Sequence, residues 1–381
     1  MNADFATMDG LPQLAAFLGS VVLVEVLRKR WAEESVAAAA AMTAATSQKA
    51  RAVTRPTAMD EAVAARAERV GGMCTVIITT SPTPSNPACT LIEAVIESMV
   101  QHAPELCGCR CIIVCDGYKI RENGLIKKSK FRSGEILRKD ASAYEAYKAA
   151  LEARCGTATC GWRRAEVLHL PERRGFGYAV KAALETVRTP FICVLQHDRT
   201  FIRDFRHTLD LLSAMQTEGR LKMVGLPTQS NDPRKYVHSA RSKLGDLNVG
   251  DTDVLGRIVR SHASPALRYL PLLRWHDSTH FASSSYYRDF VFGPRNLVSR
   301  GGFIEDKLGQ QQIKDLRNHG WSSHGDYGTY LLDDGATQLT YMVAHLDGKK
   351  FSRREDRHGK GRYISYHRLS SSSPQQRKSE P

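Results

Sequence analysis

The sequence predicts an α/β fold in which a mainly parallel sheet is flanked by helices and preceded by an N-terminal helical stem. The first observation is a series of short apolar runs, rich in β-branched residues, between Met73 and Leu195. The second is that segments with helical spacing of apolar residues separate these runs. The third is that several runs end abruptly in polar residues or in an Asp-Gly pair. Strands that alternate with helices in this way predict parallel pairing with right-handed crossovers.

The predicted elements follow one another along the chain. The first helix shows the pattern well, with apolar residues at Leu91, Ile92, Val95, Ile96 and Met99. Between residues 229 and 271 charged residues, Gly and Ser dominate, which predicts a long excursion or a flexible lid. A second ordered half is predicted from 272 to about 350. The predicted strands are 73–80, 110–115, 165–170, 191–195 and 221–226, and the predicted helices are 88–101, 141–153, 174–187, 204–215 and 304–313.

Three regions are predicted: a hydrophobic helix with an Ala-rich stem (1–72), a folded domain (73–350) and a basic, flexible tail (351–381). The apolar stretch from Leu11 to Leu27 contains Gln13 and Glu25, and its uninterrupted part is shorter than the roughly 20 residues that span a bilayer. Weak membrane association and an amphipathic or buried helix are both consistent with it. A Golgi or endomembrane location and a cytoplasmic one stay open.

The net charge of +14 is concentrated near the C-terminus, where residues from Lys349 onward hold ten Lys or Arg against three Asp or Glu. A basic surface suits nucleic acid, acidic lipid or phosphate ligands. No zinc-finger spacing, aromatic RNA-binding motif or helix-turn-helix pattern is present, so we expect no dedicated nucleic-acid binding. Cys107, Cys109, Cys111 and Cys115 lie close together in CGCRCIIVC, and the two that flank the apolar run, Cys111 and Cys115, are predicted to pack in the core. Cys155 and Cys160 would suit a disulfide in a luminal protein.

The main candidate site follows the strand 191–195, where Gln196, His197 and Asp198 end an apolar run. Open α/β sheets hold their ligands at the carboxyl ends of strands. Asp198 can bind a divalent metal and so hold a phosphate-bearing donor. The other interpretation of Asp198 is an N-cap of the following segment.

Other candidates lie at comparable positions, and each has a structural alternative. Asp116 ends the second strand and suits a nucleoside, or simply a turn. Arg174 and Lys181 flank a Gly-x-Gly helix start that suits a pyrophosphate, or a solvated corner. Glu305 and Asp306 begin a helix, where a carboxylate stays ionised and can accept a proton. His345 follows an apolar strand and suits a metal ligand, and the aromatic, hydroxyl-rich stretch 275–288 suits a sugar or a core.

The order of these motifs resembles family 2-type glycosyltransferases of the GT-A, Rossmann-like fold. The resemblance covers about Met73 to Lys350 and rests on TTSPTPSNP, the Asp-Gly after the second strand, RTPFICVLQHD, THFAS with YYR, IED and HLDG. It is strongest to a subgroup that carries an EHD-like triplet in place of the usual DXD.

This resemblance implies a hexosyl- or pentosyltransferase that uses a nucleotide-diphospho-sugar, with a UDP-sugar first among the donors, together with Mn²⁺ or Mg²⁺. It implies that Asp116 contacts the nucleoside, that Gln196 and His197 stand at the first two DXD positions, and that Asp198 binds the metal. Asp306 would be the general base, with Glu305 beside it, and His345 would contact the metal or diphosphate. The acceptor would be a glycan, a lipid or a protein, and its attack opposite the leaving diphosphate would invert the anomeric centre.

Two departures from the family pattern are visible. Gln196 replaces the first acid of DXD, and the QxxRW motif is absent, which argues against a processive polysaccharide synthase. A nucleotidyltransferase on a similar sheet is an alternative, although SPTPSNP stands where its Gly- and Lys-rich signature would be. A catalytically inactive binding or scaffold protein is another.

Overall fold

The computed structural model describes residues 58–122, 134–261 and 264–346. The predicted apolar segment Leu11–Leu27, most of the stem and the tail 351–381 lie outside the described residues. The strands in the described part are β1 Cys74–Thr80, β2 Arg110–Cys115, β3 Lys119–Ile120, β4 Glu135–Ile136, β5 Ala165–His169, β6 Phe191–Gln196, β7 Arg199–Phe201, β8 Met223–Gly225, β9 Val259–Ser261, β10 Ser264–Pro271, β11 His280–Ser283, β12 Thr329–Asp333 and β13 Val343–His345.

Helices separate most of these strands. The longer ones in the described part are α1 Ala58–Met73, α2 Thr90–His102, α3 Arg138–Arg154, α4 Phe176–Leu184, α5 Thr208–Thr217, α6 Pro233–Asp246 and α7 Gln310–His319. Single helical turns cover Pro104–Gly108, Gln229–Asn231, Leu255–Arg257, Ser284–Tyr286, Gly320–Ser323 and His324–Tyr327, and wider π-type turns cover Tyr287–Val291 and Glu305–Gly309.

Within the described residues, nine strands form one mixed sheet in the order β5-β2-β1-β6-β11-β8-β12-β10-β9. Strands β5, β2, β1 and β6 are parallel, whereas β11 runs antiparallel to both β6 and β8. Thr80 pairs with Cys115, and Thr79 pairs with Gln196. The carboxyl ends of three central strands therefore meet at one edge. This arrangement confirms the predicted α/β class with a mainly parallel sheet.

Apolar side chains cover both faces of the central strands. Every residue of β1 is buried, which explains its continuous rather than alternating apolar pattern. Helix α2 packs Ile92, Val95 and Ile96 against one layer of the core, and α4 places Val180 in the other layer. Each fully buried apolar side chain of this size contributes roughly 1.5–3 kcal/mol.

The prediction of a long excursion or lid between residues 229 and 271 is wrong. The stretch contains α6 and the strands β9 and β10, which form one end of the sheet. Helix α6 exposes most of its charged side chains and buries few apolar ones, among them Ala240 and Leu244. Its apolar stripe is therefore too narrow to stand out in the sequence.

The chain before β1 is helical where the structure describes it, although the sequence predicts the folded part to begin at Met73. In α1, Val70 is fully buried. The Arg66 guanidinium donates to Glu105 Oε1 over 2.6 Å and to Asp210 Oδ2 over 3.0 Å. Glu105 is itself 1% exposed. This buried ion pair ties the end of the predicted stem region to the turn after α2 and to α5.

All nine cysteines lie within the described residues, and all are free thiols. Cys111 and Cys115 are buried in the core as predicted, Cys109 is buried as well, and Cys155 and Cys160 are not joined by a disulfide. In the part of the chain that the structure describes, no helix combines the length and the apolar character needed to cross a bilayer.

Candidate active site

A cavity of about 820 Å³ opens at the carboxyl edge of the sheet. Its walls come from the segments that follow β1, β2 and β6, from the loop before β11 and from the turn Glu305–Gly309. The polar ends of these elements meet there because the strands that deliver them run in parallel. The predicted site residues that line it are Asp116, Gln196, His197, Asp198, Glu305, Asp306 and His345.

Asp198 and His345 form a pair, although they are 147 residues apart in the sequence. Strand β13 runs antiparallel to β7 with His345 opposite Arg199, and the Leu346 N–H donates to the Asp198 carbonyl over 2.8 Å. This short ladder brings His345 Nε2 to 2.9 Å from Asp198 Oδ2. The imidazole is exposed and the carboxylate is mostly buried. The pair therefore presents one nitrogen and one carboxylate to the cavity.

A carboxylate and an imidazole are ligands that Mn²⁺ accepts, and Mg²⁺ bound by one carboxylate keeps several waters or phosphate oxygens. Among the described residues, no group of three or more His, Cys, Asp or Glu side chains is placed to hold a metal ion. The donor set fits a metal that completes its shell with ligand oxygens rather than a closed structural site.

The two residues before Asp198 are engaged by the protein. The His197 ring accepts the Ser81 N–H at Nδ1 over 3.3 Å and lies 2.9 Å from Thr80 Oγ1. Burial lowers the pKa of His197, which favours the neutral ring, and acceptance of the Ser81 N–H at Nδ1 places the ring proton on Nε2. Gln196 donates its side-chain amide to the Asp277 carbonyl. Gln196 thus links the end of β6 to the loop before β11.

The Asp116 carboxylate accepts hydrogen bonds from backbone N–H groups and does not project freely into the cavity. Its Oδ1 accepts the N–H groups of Gly117 over 3.0 Å and Arg174 over 2.7 Å, and its Oδ2 accepts the Gly175 N–H over 2.9 Å. Burial raises the pKa of Asp116, and the three backbone donors oppose that shift. The carboxylate therefore fixes the segment before α4, and little hydrogen-bonding capacity remains for a nucleoside.

The Gly-x-Gly start of α4 forms a tight contact between two loops. Gly175 has φ +78°, and a Cβ there would lie 2.6 Å from Gly301 Cα. The Gly301 N–H donates to the Arg174 carbonyl over 2.8 Å, and the Gly177 N–H donates to Gly302 O over 3.4 Å. The N–H groups of Gly175 and Gly177, which the sequence suggests for a pyrophosphate, are thus bonded within the protein.

Two predicted ligand-binding residues lie outside the cavity lining. Lys181 places Nζ 5.4 Å from the Tyr178 ring centre and 5.5 Å from that of Phe292, beside a separate pocket of about 220 Å³. Arg174 contributes its backbone to the contacts around Asp116 and Gly301, and its side chain is not part of the cavity wall. Lys181 lies farther along α4 than the glycines at its start. Its ammonium group therefore contacts the Tyr178 and Phe292 rings and not the cavity at the sheet edge.

Glu305 and Asp306 begin the π-type turn that leads into α7. Asp306 is exposed, and its Oδ2 accepts the Phe303 N–H over 3.0 Å, which caps the start of the turn. Glu305 is half-buried, and its Oε2 accepts the Asp277 N–H over 3.2 Å. The two neighbouring acids therefore differ, since Asp306 faces solvent and Glu305 faces the protein.

Asp277 is a cavity-lining acid that the sequence analysis did not single out. It is 5% exposed; its Oδ2 accepts the Glu305 N–H over 2.9 Å and its Oδ1 accepts the Trp275 indole N–H over 2.8 Å. Burial raises the pKa of Asp277 to about 7, and the charges of Glu305 and Asp306 add to the shift. The available signal was an acid in the short segment between Trp275 and the start of β11. Asp277 and Glu305 thus bond to each other's backbone and fix the turn that carries Asp306.

The sequence analysis also missed three arginines in the cavity wall. One of them, Arg173, donates to the Gly301 carbonyl over 2.9 Å. Arg199 follows Asp198, and Arg274 lies on the loop after β10. Within the described residues, the buried Nε of each has no hydrogen-bond partner. Burial lowers the pKa of Arg199, and the charges of Asp198 and Glu305 oppose the shift. Both guanidinium groups are available to oxyanions of a ligand.

No protein-family model matches the chain, and no curated protein matches it. Several solved structures do match. Glucosyl-3-phosphoglycerate synthase from Mycobacterium tuberculosis, in complex with Mg²⁺ and UDP, shares 14% identity over 74% of this chain and 75% of that chain, with a TM-score of 0.35. S. aureus TarS 1–349 with UDP-GlcNAc shares 11% identity over 79% of this chain and 61% of that chain, with a TM-score of 0.35.

A mannosyltransferase from Pyrobaculum calidifontis, in complex with GDP-Man and Mn²⁺, shares 16% identity over 48% of each chain, with a TM-score of 0.27. Likeness at these identities and TM-scores does not assign a function. The functional argument therefore depends on the side chains of this cavity.

Proposed function

We propose that the chain is a glycosyltransferase of the GT-A type that uses a nucleotide-diphospho-sugar and a divalent metal and inverts the anomeric centre. The observation that carries the proposal is the convergence of Asp198, His345 and Asp306, which are far apart in the sequence, on one cavity at the carboxyl edge of the sheet. The cavity volume of about 820 Å³ falls in the range of small-molecule and cofactor sites.

In this proposal Asp198 and His345 hold Mn²⁺ or Mg²⁺, and the metal when bound neutralises charge on the leaving diphosphate. A neutral imidazole is the form that binds a metal, and the His345 ring is exposed at the cavity. Arg199 lies next to Asp198 in the chain and directs a permanent positive charge to the same part of the cavity. These groups define what we name the donor side of the cavity.

Asp306 serves as the general base that takes the proton of the acceptor hydroxyl. Its carboxylate is exposed to the cavity, and only Oδ2 is engaged, by the Phe303 N–H. That bond fixes the orientation of the carboxylate, and within the described residues Oδ1 has no hydrogen-bond donor assigned to it. Glu305 is less suited to the role because its Oε2 already accepts the Asp277 N–H. Asp306 therefore defines what we name the acceptor side.

A second candidate is a nucleotide-sugar-binding protein without turnover. This candidate is favoured by Gln196, which occupies the first DXD position and donates its side-chain amide to the Asp277 carbonyl. It is also favoured by the small metal donor set of one carboxylate and one imidazole. Binding and turnover must therefore be measured separately.

A donor screen tests the proposal. UDP-, GDP- and dTDP-sugars are incubated with the protein, with and without Mn²⁺, and release of the nucleoside diphosphate is followed. We expect metal-dependent release from at least one donor, with UDP-sugars the first choice. Metal-dependent binding of UDP without release from any donor would support the inactive binding protein. Neither binding nor release with any donor would overturn both candidates.

A further inference from the structure

We propose that the acceptor carries an oxyanion, either a carboxylate or a phosphate, and that Arg274 binds this group. The inference rests on the proposed function for the division of the cavity into a donor side and an acceptor side. It goes beyond that function because it names the chemical class of the acceptor.

The first step is the state of the Arg274 side chain. Arg274 is half-buried and lines the cavity, and within the described residues its buried Nε has no hydrogen-bond partner. A guanidinium has five N–H donors in a fixed planar fork that matches a carboxylate or a phosphate. A buried donor that stays unpaired is unfavourable, and a ligand oxyanion would relieve it.

The second step is the position of Arg274 relative to the base. A Cβ added to Gly309 would lie 3.0 Å from Arg274 Cγ and 3.3 Å from the Trp275 carbonyl oxygen. Gly309 is the last residue of the turn that begins at Glu305 and carries Asp306. The aliphatic part of Arg274 therefore packs along that turn, on the acceptor side. A side chain at this position would press on the arginine stem.

The third step separates Arg274 from Arg199. Arg199 follows Asp198 on β7, and the charges of Asp198 and Glu305 act on it. The cavity thus has one arginine beside the metal ligands and another beside the base. A nucleoside diphosphate on the donor side provides an anion for Arg199. Arg173 also lines the cavity, but its guanidinium donates to the Gly301 carbonyl over 2.9 Å. Arg274 is therefore the arginine that we assign to a second anion, which the acceptor supplies.

The fourth step is the charge on the acceptor side. Glu305, Asp306 and Asp277 would repel an anionic acceptor if no cation stood near them. His276 does not provide this charge, because burial and the nearby Arg274 and Lys243 lower its pKa to about 4. Arg274 is a permanent cation on this side, and a neutral His276 can add a hydrogen bond.

The experiment is a calorimetric titration of inorganic phosphate into the full chain, saturated with UDP and Mg²⁺. The variants are Arg274→Gln, Arg274→Lys and Arg199→Gln, and Arg317→Gln is the matched control because it removes an exposed arginine from α7 outside the cavity. We expect wild type and Arg317→Gln to bind phosphate while UDP is bound. Arg274→Gln should weaken phosphate binding about tenfold or more, with UDP affinity within roughly twofold of wild type.

Arg274→Lys should fall between wild type and Arg274→Gln, because an ammonium keeps the charge but not the planar fork. It also provides a second test if the glutamine variant is poorly folded. The proposal is overturned if wild type binds no phosphate, if UDP excludes phosphate, or if Arg274→Gln lowers UDP affinity and leaves phosphate binding intact. If UDP binds to none of the proteins, the proposed function fails, and the assignment of Arg274 to an acceptor fails with it. A loss of phosphate binding confined to Arg274→Gln would in that case still identify an oxyanion site.

Discussion

Asp277 is the residue whose ionisation is coupled most directly to folding. Burial raises its pKa from the ordinary value of 3.8 to about 7. Between these two pH values the folded protein keeps the proton that the unfolded chain releases. Protons are therefore taken up on folding, and the free energy of unfolding falls as pH rises from about 4 to 7. Above pH 7 the loss is complete, because both states are then ionised.

The first prediction uses Asp277→Asn, which removes this titration. The variant loses one acceptor at every pH, so the informative quantity is the change with pH. From pH 5 to pH 8, urea unfolding should show wild type losing stability relative to the variant by about 2.7 kcal/mol, since about two pKa units of the shift lie in this range at 1.36 kcal/mol per unit. Other titrating groups cancel in the difference. A difference between the two proteins that is constant over this pH range would contradict a raised pKa.

The second prediction concerns Asp306. Asp306→Asn should lower kcat about a hundredfold, the usual scale for removal of a general base, and leave UDP affinity unchanged. The amide can still accept the Phe303 N–H, so the turn should keep its conformation. Asp289→Asn is the matched control, since Asp289 is exposed and outside the cavity. Turnover of Asp306→Asn at the wild-type rate would show that Asp306 is not the base.

At the level of elements, the contact between the start of α4 and the loop at Gly301 fixes two walls of the cavity together. The third prediction is that Gly175→Ala destabilises the protein through both backbone strain and a collision with Gly301 Cα at 2.6 Å. Gly156 is the matched control, because it has φ +74° and nothing within 4 Å of an added Cβ. Strain alone should cost roughly 1–3 kcal/mol at either site.

The collision should add about 1–3 kcal/mol at Gly175 only. Chemical denaturation of the two alanine variants measures the difference. Equal losses for Gly156→Ala and Gly175→Ala would show that the two loops separate easily, and the contact would then not hold the cavity walls.

The fourth prediction tests whether α6 is an ordered element rather than a lid. Leu244 is fully buried in a small cluster with Val249 and Trp321. Leu244→Ala should therefore cost about 2–5 kcal/mol in unfolding free energy. Leu255→Ala, at a side chain that is 50% exposed, should cost far less. Similar small effects of both substitutions would indicate that α6 packs only weakly.

The sequence predicted the elements of the parallel half of the sheet well. Strands β1, β2 and β6 are buried on both faces, so they appear as continuous apolar runs with polar ends. It failed for α6, β9 and β10. Helix α6 buries only a few apolar residues, and β10 pairs at the end of the sheet, where its register shifts. Neither has the strong periodicity that identifies an element from sequence alone.

At the level of the whole molecule, the sequence predicted seven of the residues that line the cavity, because an acid or amide after an apolar strand marks the ligand edge of such a sheet. It missed Asp277, Arg173, Arg199 and Arg274. Their role in the cavity wall depends on tertiary contacts, such as the mutual bonds of Asp277 and Glu305 and the packing of Arg274 on Gly309. The sequence also placed Lys181 at a phosphate, whereas the structure places it over Tyr178 and Phe292.

The last prediction tests the convergence of distant segments directly. If Asp198 and His345 hold a metal that binds UDP, then UDP with Mn²⁺ should stabilise the folded protein, by about 2.7 kcal/mol at a hundredfold excess over Kd. The thermal midpoint should rise by several degrees, and EDTA should reverse the rise. Asp198→Asn and His345→Ala should each abolish the shift, because each removes one of only two protein ligands, whereas Asp289→Asn should retain it. An undiminished, EDTA-insensitive shift in Asp198→Asn would show that UDP binds without this metal site.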